Sequence, residues 1–470
     1  MNNKISEFKA GIRDKKVAVL GIGVSNIPLI RYLSAFGVDI TAFDKTGKEQ
    51  LEQVIKDFEG TSVKFSVGEG YLQNLKGFDV IFRTPGIRFD IPELVAEKER
   101  GAEITSEMEV FFDLCPAQII AVTGSDGKTT TTTLIYNILK EEGYNCWLGG
   151  NIGTPLLSRI EEIKESDKVV LELSSFQLHT MKKSPEVAVI TNLSPNHLDV
   201  HKSMEEYVDA KKNIFRFQDD RKGFGKIKTV LNYDNDITRS FAQEVKNESV
   251  FFSRVNEIKE GAAFKGGQLL YIKDGKETEI VKAEDIVIPG VHNIENYLAA
   301  AAATIDYVKP ETIRKVATTF KGVEHRIELV RELNGVKFYN SSIDSSPSRT
   351  IAALNTFKQK VILIAGGKDK GIPYDEIGDP ILEKVKCLVL IGATAPKIEE
   401  ALKAAMNRAE NAEEIPTFKV NTYEEAVETA YAQSKAGDVV ILSPASTSFD
   451  MFKNFEERGR VFKNIVNSLS

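Results

Sequence analysis

Gln118-Ile-Ile-Ala-Val-Thr-Gly-Ser-Asp-Gly-Lys-Thr-Thr130 runs from an apolar stretch into a glycine-flanked loop that closes on Lys-Thr. The apolar stretch predicts a buried strand, and the Lys-Thr pair predicts the start of a helix. A strand–loop–helix of this kind suits a polyphosphate. Backbone amides of Gly124, Ser125, Asp126 and Gly127 cradle the anion, Lys128 adds a point charge, and the Thr129 hydroxyl, beside Thr130, reaches Mg2+. The common spacing of such loops puts glycine where this chain has Val122, so the loop is a variant form.

On both sides of it, strand-like runs alternate with helix-period segments, the pattern of parallel α/β domains. Upstream, residues 16–23 predict a strand ended by glycines, and a second strand is predicted at 38–44. Cys115-Pro116 reads as a linker before the central strand. Downstream, strands are predicted at 168–173 and 187–191, short hairpins between 221 and 284, and a buried alanine-rich helix at 293–303. Asn334-Gly335 predicts a tight hairpin over 328–339, after which strands recur at 360–365, 387–391 and 438–442. The 470 residues therefore divide into three consecutive α/β domains, 1–116, 117–321 and 322–470.

Composition narrows the function classes. Hydrophobic residues at 42% and charged residues at 27% exclude a disordered or fibrous chain. The 61 basic and 68 acidic side chains leave a net charge of −7, so no global basic field attracts nucleic acid or anionic lipid. Cys115, Cys146 and Cys387 lie too far apart for a disulfide framework or a cysteine zinc knuckle. No stretch has signal-peptide character or reaches about 18 apolar residues, which predicts a cytoplasmic protein with no membrane span.

Two further strand ends carry candidate chemistry. Glu172 closes an apolar run, where a carboxylate is costly unless paired or metal-bound, and strand C-termini are where α/β sheets bind ligands. The next strand ends in Thr191-Asn-Leu-Ser-Pro-Asn-His-Leu-Asp199, which in sequence order sets His197 one strand end from Glu172 and two from Lys128. The other histidines, 179, 201, 292 and 325, lack zinc spacing, so Mg2+ held by oxygens is expected in place of a catalytic zinc. Gly21-Ile-Gly-Val-Ser-Asn26 resembles a dinucleotide fingerprint with Asp44 about 20 residues on, but Asn26 replaces the third glycine. A pyrophosphate site and a plain tight turn both remain open there. Ala210-Lys-Lys212, by spacing alone, is a solvated basic face.

Gly149-Gly-Asn-Ile-Gly153, Glu172-Leu-Ser-Ser-Phe-Gln177, Asn196-His-Leu-Asp199, Ala210-Lys211, Gly290-Val-His-Asn-Ile-Glu-Asn296, His325-Arg326 and Gly366-Gly-Lys-Asp-Lys370 complete a wider pattern. With the Gly-Lys-Thr loop they resemble the Mur ligase family, ATP-dependent acid–amino-acid ligases of peptidoglycan synthesis, over nearly the whole chain. Leu-Ser-Ser-Phe-Gln and the segment 442–459 resemble the branch that adds D-glutamate. A ligase for another amino acid, or a folylpolyglutamate-synthetase-like enzyme, is the nearest alternative. A dehydrogenase suggested by Gly21 and Gly23, or a nucleotide switch suggested by the loop, stands further off.

The resemblance implies a Rossmann-like N-terminal domain, a central P-loop ATPase-like domain and a Rossmann-like C-terminal domain. It also implies a monomer that uses ATP, UDP-N-acetylmuramoyl-L-alanine and D-glutamate, with two Mg2+ ions and an N-carbamylated lysine. Gly21, Gly23, Val24, Ser25, Asp44, Lys45, Gly86 and Asn151 would serve the UDP-sugar. Lys128 would be the phosphate lysine, Asn293 and Asn296 would meet adenine, and Arg326 a phosphate. Thr129, Glu172, His197 and Lys211 as its carbamate would hold metal, with Lys212 the neighbouring alternative. Lys370, Ser448 and Phe455 would bind D-glutamate. The chain departs from the family at Ser341, where an aspartate for the ATP ribose is expected, and at Ile343, where a lysine near D-glutamate is expected. In an extended strand Asp344 would face away from Ser341, and Arg349 is the nearest replacement cation, with a solvated helix-start arginine as the alternative.

Overall fold

A computed structural model describes residues 3–195, 200–218, 225–409 and 413–470. Its first sheet has five parallel strands in the order Lys64–Val67, Asp39–Asp44, Lys16–Leu20, Val80–Arg83, Glu103–Thr105. Val17 to Leu20 are wholly buried, as a central strand covered on both faces requires. The strand order reverses at Lys16–Leu20, so a crevice opens at its C-terminal end, where Gly21 stands.

The second sheet has nine strands. From one edge they run Cys146–Gly150, Lys168–Glu172, Gln118–Thr123, Val187–Ile190, Lys228–Asn232, Glu248–Ser253, Gly261–Lys265, Gln268–Lys273 and Lys276–Lys282. The first seven are parallel, and Gly261–Lys265 pairs antiparallel with Gln268–Lys273, a hairpin within the turn-rich insertion. All six residues of Gln118–Thr123 are buried, and the helix Lys128–Glu142 follows at once. One expectation from sequence order is corrected. Gln118–Thr123 lies between the other two strands, so the strand ending near Thr191 adjoins the phosphate-loop strand and is separated from Glu172 by it.

The third sheet has six strands in the order Glu328–Leu333, Val336–Asn340, Val439–Leu442, Val361–Ala365, Val385–Ile391, Thr417–Val420. Only the first pair is antiparallel, joined through Asn334 (φ 51°) and Gly335 (φ 80°). Two successive positive φ values are the requirement of the two-residue hairpin that Asn-Gly announces. The helix Val291–Thr304 is fully buried from Tyr297 to Ala303.

The chain groups into two compact units, 1–280 with 295–314, and 281–294 with 315–470. The five- and nine-stranded sheets belong to the first. Within that unit Arg83 donates to Thr180 Oγ1 at 3.0 Å, and buried Glu107 accepts the Leu157 N–H at 3.0 Å. The six-stranded sheet belongs to the second unit. No helix among the described residues is long and apolar enough to cross a membrane.

Candidate active site

The loop 124–127 sits at the C-terminal end of a central strand and at the N-terminus of a fifteen-residue helix. That helix leaves the first N–H groups without intrahelical acceptors, aimed where an anion would lie. Gly127 has φ 77°, and a Cβ there would fall 2.4 Å from Asn296 Oδ1, so glycine is required twice over. Lys128 Nζ donates to the Ser125 carbonyl at 2.9 Å, folding the lysine back over the loop. Thr191 Oγ1 donates to the Asp126 carbonyl at 2.6 Å, and Asn192 Oδ1 accepts the Asp126 N–H at 3.0 Å. Ser125 Oγ lies 2.9 Å from Tyr207 Oη. Thr191, Asn192 and Tyr207 shape the loop, yet nothing in the loop sequence itself points to them. Thr130 lies half-buried in the first helical turn.

Glu172, 1% exposed, accepts from Thr129 Oγ1 and from Asn151 Nδ2, each at 2.7 Å. The sequence-predicted Thr129, Asn151 and Glu172 therefore meet in one cluster. Gly150 lies too close to the Glu172 carbonyl for any Cβ, 2.1 Å, which locks the two strand ends together. Lys211, 2% exposed, donates from Nζ to Thr123 Oγ1 at 2.8 Å and to the Gly124 carbonyl at 2.9 Å. Burial, with Lys128 nearby, holds its ammonium well below the usual lysine range. Lys212 turns the other way and pairs with Glu244 at 2.5 Å. Consecutive residues of the helix Met204–Arg216 thus point to opposite sides, and only Lys211 reaches the loop. His197 lies outside the described residues. Asn296 accepts from Thr131 Oγ1 at 3.2 Å behind the loop, and Asn293, one turn earlier, donates to the Pro289 carbonyl at 2.5 Å.

In the five-stranded sheet Asn26 is buried and donates to the carbonyls of Leu20 and Gly21 at 3.0 and 2.9 Å. The residue in the third-glycine position therefore staples the strand end. Asp44 accepts the Ile22 N–H at 2.6 Å and the Thr46 N–H at 2.8 Å. Burial would raise its carboxyl, but these bonds carry it below the usual range. Asp44 thereby shapes the Gly21 loop from within. Gly23, Val24, Ser25, Lys45 and Gly86 are exposed at the same strand ends, and Gly21 packs on Thr84 beside the Gly86 loop. Buried Arg83, a residue the sequence reading missed, donates to the carbonyls of Thr84, Pro85 and Ile87 and so fixes that loop.

In the second unit, the candidates lie on the loops and first helical turns that follow adjacent parallel strands. Lys370 and Arg349 are exposed, Ser448 is buried, and Phe455 packs edge-on against His325 with centroids 6.0 Å apart. Fully buried Arg458 donates to Ser342 Oγ, the Ser342 carbonyl and the Ser446 carbonyl, clamping two of these loops together. His325 (φ 64°) and Ile327 (φ 45°) flank the exposed Arg326, a strained turn of the sort that concentrates at functional sites.

The strand Val336–Asn340 ends before Ser341, which corrects the reading of Asp344. A turn closes from the Asp344 N–H to the Ser341 carbonyl at 3.0 Å, so strand alternation does not apply. Asp344 instead sits on the same side as Ser341, bonded to its hydroxyl, accepts from Ser443 Oγ at 2.8 Å, and feels Arg326 and Arg349. Burial pushes its carboxyl up to about 6. The folded protein then keeps a proton that the unfolded chain loses above about pH 4, so this residue's contribution to stability falls as pH rises from about 4 to about 6, then levels. The integrated effect is at most about 3 kcal/mol. Thermal melts of wild type and Asp344→Asn should therefore diverge with pH, the wild type losing ground between pH 4 and 6. A gap that stays constant over that interval contradicts the buried carboxyl.

Comparison with known proteins matches three segments to family models. They are the Mur ligase MurD-like N-terminal domain (15–106), the Mur ligase middle domain (122–304) and the Mur ligase glutamate ligase domain (325–446). UDP-N-acetylmuramoylalanine–D-glutamate ligase of Acetivibrio thermocellus is 67% identical over 469 residues, covering 100% of both chains. The protein of the same name from Ruminiclostridium cellulolyticum is 64% identical over 469 residues with the same coverage. Among solved structures, UDP-N-acetylmuramate–alanine ligase of Thermotoga maritima aligns at TM-score 0.57 and 19% identity, over 97% of this chain and 99% of that one, a likeness of fold.

Proposed function

The chain belongs to the Mur ligase family, and from that membership we propose that it is an ATP-dependent ligase joining D-glutamate to UDP-N-acetylmuramoyl-L-alanine. The full-length match to relatives bearing that name carries the substrate assignment. In this reading the substrate carboxylate attacks the γ-phosphorus of ATP, ADP leaves, and an acyl phosphate forms. The D-glutamate amine then attacks the acyl carbon, a tetrahedral intermediate collapses, and phosphate departs. A carboxylate is a poor acyl donor, and phosphorylation turns its oxygen into a good leaving group.

Lys128 and the loop amides of 124–127 hold the transferring phosphoryl group. The donors around Glu172 are hard oxygens, with its carboxylate buried and tied to neutral groups, which fits Mg2+. Thr129, Glu172, His197 and a carbamate on Lys211 would hold two such ions. Mg2+ neutralises phosphate charge and polarises the phosphoryl oxygens. The orientation of Lys211 into the loop supports it over Lys212 as the carbamate carrier. Gly21, Gly23, Val24, Ser25, Lys45 and Gly86 would meet the UDP-sugar, with Asp44 holding their loop in shape. Lys370, Ser448 and Phe455 would meet D-glutamate, and Asp344 would stand in for the carboxylate expected at Ser341. The protein acts as a monomer in the cytoplasm.

ADP release measured with UDP-N-acetylmuramoyl-L-alanine and each glutamate enantiomer tests this reading. Turnover should require both substrates and strongly prefer D-glutamate. Equal rates with L-glutamate, or rapid ATP hydrolysis without an acceptor, would overturn it. Arg349 supplies a finer test. Its guanidinium donates to the Ile343 carbonyl at 3.2 Å, beside the position where the expected lysine is missing. Arg349→Ala should raise the apparent KM for D-glutamate roughly tenfold or more, the worth of one charge-assisted contact, with less effect on ATP. The reverse pattern assigns Arg349 to the nucleotide, and no change in either returns it to the solvated surface.

A further inference from the structure

Sequence spacing gives no hint that His179 and His201 belong together. The fold brings them to within ring-packing distance, 5.2 Å between centroids, with Glu206 between their inward nitrogens. His179 Nε2 lies 3.5 Å from Glu206 Oε1, and His201 Nδ1 lies 3.7 Å from Glu206 Oε2. Three ligand atoms, one from each residue, all fall within 4.8 Å of one another. We propose that His179, His201 and Glu206 form a binding site for a divalent transition-metal ion of the Zn2+ or Co2+ class.

The surroundings are those of a built site. Ligating histidines hold their other ring nitrogen on an oxygen, and His201 Nε2 lies 2.9 Å from Ser175 Oγ. In the tautomer that donates there, Nδ1 turns its lone pair toward Glu206. Stacking on Phe176, 4° from parallel, and edge contact with Tyr207 fix the ring plane. Phe89 does the same for His179 at 4.8 Å. Ligating carboxylates are themselves hydrogen-bonded, and Glu206 accepts from Arg88 at 3.0 Å. Arg88 also grips Asp90 through two bonds of 2.8 and 2.9 Å, Asp90 pairs in turn with Lys202 at 2.8 Å, and Glu206 accepts the Lys202 N–H, so the carboxylate is held in place by its neighbours. His201 is buried while His179 and Glu206 are partly open, which gives an ion an entry side. Two imidazoles and one carboxylate suit Zn2+ and Co2+ over Mg2+, and leave a fourth position for water.

The full-length protein titrated with Co2+ in excess Mg2+ tests the assignment. Wild type should develop the visible absorption of four- or five-coordinate Co2+, and Zn2+ should quench it by displacement. His179→Gln, which changes a partly buried side chain, should bind one equivalent less and lose that band. Ser175→Ala removes only the outer partner of His201 and should weaken binding by roughly 10- to 100-fold. Equal equivalents and an unchanged band in His179→Gln place the ion elsewhere and overturn the proposal, as does a wild-type spectrum of octahedral Co2+ alone.

Discussion

Lys211→Ala is expected to release ADP at less than about a hundredth of the wild-type rate, and acetate or formate in the buffer should restore part of it. The amine is buried against the phosphate loop, and the cause of its lowered basicity is chiefly desolvation. On the proposed reading the neutral amine attacks CO2, the N–C bond forms, a proton leaves, and a cationic side chain becomes an anionic oxygen ligand. Such a ligand suits Mg2+ where an ammonium does not. A small carboxylate diffusing into the space left by alanine replaces the lost oxygens without the tether. Wild type should likewise lose activity in CO2-depleted buffer and regain it on adding bicarbonate. Lys212→Ala should be mild, because its pair with Glu244 is a surface contact of small worth. Indifference to bicarbonate combined with a lethal Lys212→Ala would move the modification by one residue.

Lys128→Ala should lower turnover by on the order of 10²- to 10³-fold, the usual cost of removing one preorganised donor at developing charge. Its Nζ is already parked on the Ser125 carbonyl, so the side chain is ordered before phosphate arrives. The loop itself should persist, since Thr191, Asn192 and Tyr207 hold it independently of the lysine. A circular dichroism spectrum and melt matching wild type, measured beside the rate, separate lost chemistry from lost fold. Near wild-type turnover would remove the phosphate-loop assignment.

Much of this was legible in the chain itself because glycine-broken apolar runs mark strand ends, and strand ends are where α/β sheets place ligands. The Gly-Lys-Thr loop, the Asn334-Gly335 hairpin and the buried alanine-rich helix each carry a local signal strong enough to survive packing. What stayed hidden depends on neighbours. Sequence order does not state sheet order, so the place of Gln118–Thr123 between Lys168–Glu172 and Val187–Ile190 was misread. Strand alternation failed at Asp344 because the strand ended four residues earlier, at Asn340. Asp44 has the spacing of a sugar-side acid, and its spacing does not reveal that its oxygens also hold the backbone of its own loop. Arg83, Tyr207 and Arg458 each reach a hydroxyl or carbonyl far along the chain, Thr180, Ser125 and Ser342 respectively, and no motif encodes that.

The helix Met204–Arg216 carries Glu206 near one end and Lys211 further along. Five residues separate them, about 7.5 Å of axial rise along a stiff rod. Glu206 is gripped by Arg88, three residues from the tip of the Gly21–Thr84 contact region at Pro85, while Lys211 touches the loop 124–127 at the Gly124 carbonyl. The rod is therefore a lever with a load at each end. Whatever tightens the grip at Arg88 also restrains the delivery of Lys211, and thermodynamic reciprocity makes the reverse equally true. On the proposed assignment, occupancy of the Gly21 and Gly86 loops and occupancy of the 124–127 loop should change each other's affinity by one common factor, read by titrating each substrate with and without the other.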